Sequence, residues 1–412
     1  MNAHGHPKRN EMTSRERVLA AVRGLPVDRV PVMYWLNPHT TCRLIAEHFP
    51  TKNRFWNATG PFLWRRFTKG GRLEAREIWR AAPQLSFLHG MGPYALELGA
   101  DMANVPYGTP TFWGRIYRSN GQLRVRDALG TVRGMCGIYL EAIKPAIGSI
   151  EDVKNYRFPD VTHPRHYAAI RRFRKARPDA CIFTDNFGVQ DVFSTWLWDT
   201  ASYMMALIQY PEEMMEFKRR LNRWQIDVAR RSVAAGSDII MIYDDYGHST
   251  NTFLSPQMWR QFVFPHLKEK IEAIHEAGAL AMLHCCGHQM PLLESFVEAE
   301  LDIVQSFQPG ARNDFEEAVR RVGDRLCIAT GIDIQRGELM TPEQLREDIL
   351  HHYRVGRTTG RHILATTHLM QPTMPDANIR VIFETARGIQ AGEYDAAGSQ
   401  YPGVLDRYDT IQ

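Results

Sequence analysis

Cysteine is scarce in this chain: six residues in 412, two of them adjacent. So few thiols over such a length exclude a disulfide framework and fit a reducing compartment. Long apolar runs are missing as well. None reaches the ~20 residues that a membrane-spanning helix needs, and Met1–Asn10 is polar where a signal peptide would carry an apolar core. The expectation is a cytoplasmic protein with no membrane as partner. Blocks of one charge are also absent. Arg171-Arg172-Phe173-Arg174-Lys175 stands among acidic stretches, and the formal net charge is only +4. That pattern reads as a solvated helix face and argues against nucleic acid as partner. No G-x-G-x-x-G follows the first strand, which removes the dinucleotide fingerprint, and no repeat of fixed period is present.

What is there is globular material, 44% hydrophobic and 23% charged, enough for a large core. Residues 1–12 read as a flexible tail. Thr13-Ser14-Arg15-Glu16 is a capping box that opens a helix running to about Arg23, ended by Gly24 and Pro26. Val30–Trp35 reads as a first strand, residues 40–100 as mostly helical, and Asp101–Tyr107 as a second strand. Asn120-Gly121 between short β-rich runs is a hairpin signal, so residues 112–147 are expected to form an antiparallel insertion. Strands are then expected at Ala180–Asp185, Asp238–Tyr243, from Gly278 to His284, and at Leu301–Phe307, Leu326–Thr330 and His362–Thr367. Between them lie helical stretches: Asp191–Ala235, Ser255–Glu276, and helices opening at Pro291, Asn313 and Thr341. About eight apolar strands alternating with helices predict the α/β class and a (β/α)8 TIM barrel over residues 13–392, with an extension at 393–412.

Soft metal ligands stand where one of these strands stops, in Leu280-Ala281-Met282-Leu283-His284-Cys285-Cys286-Gly287. Alternate residues of an extended segment share a face, so His284 and Cys286 point together while Cys285 points away. Catalytic zinc takes three protein ligands and keeps a fourth position open. His368, past the end of the last strand, is the candidate third ligand, and His288 is a less fixed alternative. The competing reading makes Cys285 and Cys286 small core residues and His284 a hydrogen-bonded interior histidine. In a barrel the C-terminal strand ends face one bowl, and one such end after another is polar. They hold Asp185 and Asn186, then Tyr243, Asp244 and Asp245, then Gln305 and Gln308, Asp333 and Gln335, and Gln371. Asp244 and Asp245 read as acid/base groups, as partners orienting a ligating histidine, or as caps of the turn that follows. Asp333 reads either as a catalytic or substrate contact or as a turn former. Asn186, Tyr243, Gln305, Gln308, Gln335 and Gln371 are the substrate-binding candidates. Trp35, Trp56 and Trp113 are candidate lid residues.

Several motifs lie in a telling order between Gly236 and Gly388. They are Tyr243-Asp244-Asp245-Tyr246-Gly247, Leu254-Ser255-Pro256-Gln257-Met258-Trp259, His284-Cys285-Cys286-Gly287, Asp302-Ile303-Val304-Gln305 with Gln308-Pro309, Gly331-Ile332-Asp333-Ile334-Gln335 and Ile363-Leu364-Ala365-Thr366-Thr367-His368. In them the chain resembles the uroporphyrinogen decarboxylase superfamily, in the branch of zinc- and corrinoid-dependent methyltransferases. The N-terminal third matches only in its opening helix, first strand and hairpin insertion. The resemblance implies a (β/α)8 barrel and a zinc on the His-x-Cys pair, here His284 and Cys286. That branch often has a Cys as third ligand where this chain has His368. One thiolate and two imidazoles leave zinc formally at +1, which suits polarising a leaving oxygen better than holding a thiolate nucleophile. True uroporphyrinogen decarboxylases carry an Arg-Gln-Ala-Gly-Arg-like stretch after the first strand. Here Tyr34-Trp35-Leu36-Asn37-Pro38-His39 stands in that place without an arginine.

These implications converge on a zinc-dependent methyltransferase that demethylates a small O-, N- or S-methylated substrate, with a methoxylated aromatic favoured. The acceptor would be a corrinoid (cobalamin) on a separate partner protein, because the chain has no Asp-x-His-x-x-Gly corrinoid motif. The alternatives are a methyl-corrinoid:thiol methyltransferase, a metal-independent decarboxylase, and a non-catalytic binding barrel. Analogy suggests a homodimer.

Overall fold

The computed structural model describes residues 11–69, 72–73, 92–108, 114–136, 139–190 and 196–395. Eight parallel strands form its centre: β1 (Val32–Met33), β4 (Met102–Asn104), β9 (Cys181–Phe187), β10 (Ile239–Tyr243), β11 (Leu280–His284), β12 (Ile303–Gln305), β13 (Cys327–Ile332) and β14 (His362–Thr366). Their order, β1-β14-β13-β12-β11-β10-β9-β4, runs once around a barrel. A two-residue ribbon, β2 (Thr68–Lys69) with β3 (Arg72–Leu73), and the antiparallel sheet β5 (Gly114–Ser119), β6 (Gln122–Asp127), β7 (Val132–Cys136) and β8 (Tyr139–Lys144) lie outside it. The expected hairpin is therefore a four-stranded meander. Asn120 and Gly121 make its first turn with φ of 50° and 73°, the left-handed pair that matches strand twist.

The seam between β1 and β4 is made by Asp101. Its backbone N–H donates to the Val32 carbonyl at 2.8 Å, and its carboxylate accepts from the Val32 N–H at 3.0 Å. The same device recurs around the lower rim. Asp238, just before β10, accepts from the Ile182 N–H at 2.8 Å, and Asp302, just before β12, accepts from the Ala281 N–H at 2.7 Å. Each carboxylate thus supplies the first hydrogen bond of a strand pair before the ladder begins. Fully buried Asp101 also accepts from Ser14, Arg17 and Arg29, and the two guanidiniums supply the charge compensation that burial demands.

Arg17 and Ser14 belong to the helix Ser14–Val22, opened by the expected capping box at Thr13 and Glu16. This helix plugs the lower end: Val18 and Val22 join the barrel-interior cluster of Met33, Met102, Phe183, Met241, Met282, Ile303, Ala329 and Ala365. Two expected helices break, both at proline. Pro211 starts a new helix, Pro211–Ala235, after Thr200–Gln209, and residues 191–195 lie outside the described set. Pro265 divides Pro256–Phe262 from Phe264–Glu276, since proline is tolerated in a first turn but not in a helix interior. Asp314, not Asn313, caps the helix Phe315–Val322. Cys42, Cys181, Cys285, Cys286 and Cys327 are free thiols. Among the described residues no helix is long and apolar enough to cross a membrane.

Asp101→Asn leaves Arg29 at a buried seam without its counter-charge and leaves Arg17 with Asp28 as its one carboxylate partner. Urea unfolding should show a loss of about 3–5 kcal/mol, the usual result of breaking a buried pair from one side. A loss below about 1 kcal/mol, as for a surface pair, would mean that packing alone closes the barrel.

Candidate metal centre

Period-two alternation sets the site. Along β10, residues 239 and 241 point into the barrel, so Tyr243 follows them inward, Asp244 turns outward and Asp245 turns inward again. Along β11 the same rule turns His284 inward above Met282. Among the described residues, His284, Cys286 and His368 bring one ligand atom each within 4.8 Å of one another. His284 is buried, while Cys286 and His368 are partly open to the bowl. His368 is remote in sequence from the other two, and the barrel brings the ends of β11 and β14 into one bowl.

The imidazoles are held in the form a metal needs. Gln305 donates its amide N–H to the Thr366 carbonyl at 3.0 Å, which leaves its carbonyl oxygen facing His284 Nδ1. That nitrogen must therefore carry the proton, and Nε2 presents its lone pair towards Cys286 Sγ at 3.3 Å. A tetrahedral zinc with its usual N and S bond lengths would hold such atoms about 3.6 Å apart. Burial pulls the His284 pKa down to about 4 against the opposing bond to Gln305. His368 is also pulled down to about 4, by burial and then by His284, with Asp245 acting against both. Both rings are neutral near pH 7 and the donor set fits zinc. A second grouping, Glu47, His48 and Asp376, is a poor fit: Arg43 already pairs with both carboxylates.

Asp244 and Asp245 are divided by the alternation. Asp245 Oδ1 accepts from the Cys286 N–H at 2.6 Å, which sets the backbone beside the ligand. Burial raises its pKa, and the Cys286 N–H and His368 pull it back. Asp244 faces the opposite way and accepts from the Val189 and Gln190 N–H groups at 3.1 and 2.9 Å. It lies in the field of buried Lys218 and Lys270, whose pKa values burial lowers to about 7. Lys218 donates to the Val189 carbonyl at 2.9 Å and Lys270 to that of Phe187. Asp244 thus builds the loop after β9 and is not the acid/base candidate; the pair resolves onto Asp245.

Other expectations are corrected by the same geometry. Asn186 points outward and donates to the Gln225 carbonyl on a surrounding helix, so its neighbour Asp185 is the bowl residue, accepting from Tyr243 Oη at 2.8 Å and from Asn104. Gln305 has both ends of its amide engaged by the protein and orients His284 instead of a substrate. Gln308 accepts from the Gly287 N–H at 3.4 Å and supports the ligand loop. Asp333 caps the short helix Ile334–Gly337 by accepting from the Gln335 and Arg336 N–H groups, the geometry of a turn former. Gln335 is exposed on that helix, and Gln371 turns to the Leu369 carbonyl at 2.9 Å. His288 is directed at the Ala311 carbonyl. Cys285 is fully buried and accepts from the Tyr246 N–H at 3.4 Å, the core half of the adjacent pair.

Trp35 is not a lid. Its indole lies 4.6 Å from the His284 ring, 5.4 Å from His368 and 5.7 Å from Tyr243, centroid to centroid, and walls the centre from inside. Trp56 packs on the cluster around Tyr94 and Phe383, and Trp113 lies outside the described residues. Two further residues support the ligand loop: Ser306, 3.3 Å from Cys286 Sγ, and Gln289, which ties the loop by donating to the Cys285 and Ser306 carbonyls. Nothing in residue type or spacing singles them out. The Gly of the His-Cys-Cys-Gly stretch has a packing cause: a Cβ on Gly287 would stand 2.1 Å from the Gly247 carbonyl oxygen.

The tautomer is open to measurement. Long-range ¹⁵N–¹H spectra of ¹⁵N-histidine-labelled protein should show His284 as the Nδ1–H form, and Gln305→Leu should abolish that preference; an Nε2–H form in the wild type would refute the arrangement.

Comparison with known proteins agrees with this architecture. The family model described as "Uroporphyrinogen decarboxylase (URO-D)" matches residues 138–389. A uroporphyrinogen decarboxylase from Coxiella burnetii is 24% identical over 301 residues, covering 68% of this chain and 78% of that protein. The chloroplastic uroporphyrinogen decarboxylase 2 of Arabidopsis thaliana is 21% identical over 292 residues, covering 67% and 72%. Among solved structures, a methyltransferase from Methanosarcina mazei superposes with a TM-score of 0.66 at 18% identity, over 92% of this chain and 99% of that one. With more than half of its length matched by the family model and the whole barrel present, the chain belongs to the uroporphyrinogen decarboxylase family.

Proposed function

We propose that this family member is a zinc-dependent methyltransferase. It takes a methyl group from a small O-, N- or S-methylated substrate, a methoxylated aromatic being the favoured case, and passes it to a corrinoid (cobalamin) carried by a separate protein. The observation that carries the reading is the cluster of His284, Cys286 and His368, neutral at both imidazoles and partly open to the bowl. These three residues would hold the zinc, and zinc bound there supplies Lewis acidity to the heteroatom that gives up its methyl group. The chain's own residues do the rest. Gln305 keeps the His284 lone pair presented, Trp35 and Tyr243 give flat apolar walls for an aromatic substrate, and Asp245 has its pKa raised by burial so that it can hold a proton for the departing heteroatom. The structural neighbour is itself named a methyltransferase, which supports this branch.

The curated relatives are named for uroporphyrinogen decarboxylation, and that is the second reading. It meets an obstacle just after β1. Tyr34–His39 contains no arginine, and Asn37 within it caps the helix Pro38–Arg43 and donates to the Met370 carbonyl.

Metal analysis of purified wild type beside Cys286→Ser and His368→Ala is the decisive measurement. About one zinc per chain is expected in the wild type, as for a three-ligand catalytic site, with loss in both variants and loss of methyl transfer to a corrinoid protein. Near-zero zinc in all three proteins sinks the scheme. Full activity in strong chelator with Cys286 dispensable favours the decarboxylase.

A further inference from the structure

Strand β12 ends at Gln305, and the next residue breaks its alternation. Ser306 has a φ of +70° although it is not glycine, and it is fully buried. An L side chain takes this conformation only where its surroundings impose it. The imposing group is Gln289, itself fully buried. Its side-chain amide donates to the Ser306 carbonyl at 3.0 Å and to the Cys285 carbonyl, while its backbone N–H donates to Asn313 Oδ1 at 2.8 Å. One amide therefore binds the end of β12 to the loop that carries Cys286.

The consequence lies in side-chain direction. In a regular strand Gln305 and Ser306 would face opposite sides. With the left-handed step, both reach the same centre: Gln305 engages His284 Nδ1, and Ser306 Oγ lies 3.3 Å from Cys286 Sγ. Two successive residues serve the two ligands of the His-x-Cys pair, one each.

We infer that Ser306 is a positioning residue for Cys286, its hydroxyl donating a hydrogen bond to the sulfur. The inference rests on the reading of the cluster as a metal centre. A metal-bound thiolate carries no proton, so the hydroxyl must be the donor in that state. The bond fixes the cysteine side chain towards His284 and His368. It also draws negative charge from the sulfur, so a metal held there keeps more of its positive charge, which is the property demanded of a Lewis acid.

The test uses full-length wild type, Ser306→Ala and Ser306→Gly, each titrated with Zn(II) and with Co(II). Both variants lack the hydroxyl, so both should lose about tenfold to a hundredfold in metal affinity, the usual effect of removing a partner of a ligand. Both should shift the thiolate-to-cobalt charge-transfer band by the same amount. Thermal melting should separate them, with the glycine variant above the alanine variant because glycine accepts the positive φ. Unchanged affinity and spectrum in both variants overturn the inference while leaving the metal centre standing. A glycine variant that regains wild-type affinity and spectrum also overturns it, by placing the whole effect in the backbone. A wild type that holds neither metal overturns the metal reading and this inference with it.

Discussion

Closing eight parallel strands into a ring requires that the two outermost be stitched together, and here Asp101 does so with its backbone N–H and its carboxylate, both on Val32. Once the ring is closed, every strand has a buried face on each side and its interior is reserved for alternate residues. The carboxylate that makes the seam also recruits Arg17 and Ser14, and through them the helix that plugs the lower end. Aspartates at 101, 238 and 302 hold the lower rim. Polar groups at the upper rim divide between such structural duties, as at Asp244 and Asp333, and the candidate centre.

The upper interior layer combines three kinds of side chain. Ligands with lone pairs come from β11 and from beyond β14. Aromatic planes come from Trp35 beyond β1 and Tyr243 at the end of β10. Carboxylates come from Asp185 and Asp245. Burial keeps the imidazoles neutral, so the centre is prepared for a cation without having to lose protons from its histidines. A ring of neighbours then removes freedom from the ligands: Gln305 on His284, the Asp245 carboxylate on the Cys286 N–H, Gln289 on the loop between them. Such support is what gives a metal site its affinity and orientation.

Adjacent residues at the strand ends have opposite fates, and this recurs through the molecule. Asp245 meets the ligand loop while Asp244 builds the loop after β9 with Lys218 and Lys270 behind the sheet. Asp185 enters the bowl while Asn186 grips a surrounding helix. Cys286 reaches the centre while Cys285 fills the core. Ser306 is the exception, because its positive φ cancels the alternation for one step.

The barrel was legible from the sequence alone, because a strand covered on both faces must be apolar throughout and each is bounded by helix caps and turns that local chemistry dictates. The His-x-Cys pair was legible for a related reason: two residues apart in an extended segment always share a face. The grouping of His368 with that pair followed only from assuming the barrel, since the 81 positions between Cys286 and His368 carry no local information about proximity. Roles at strand ends were the least legible. Gln305 and Asp333 have the composition of substrate contacts, yet their partners, Thr366, His284 and the first turn of a short helix, are set by packing between elements. Local sequence thus determined which segments are strands and which residues share a face. Only the tertiary structure decided which face met the metal-ligand cluster and which met the rest of the protein, because that depends on the inward or outward phase of each strand and on loops such as the one at Ser306 whose backbone is held by a distant amide.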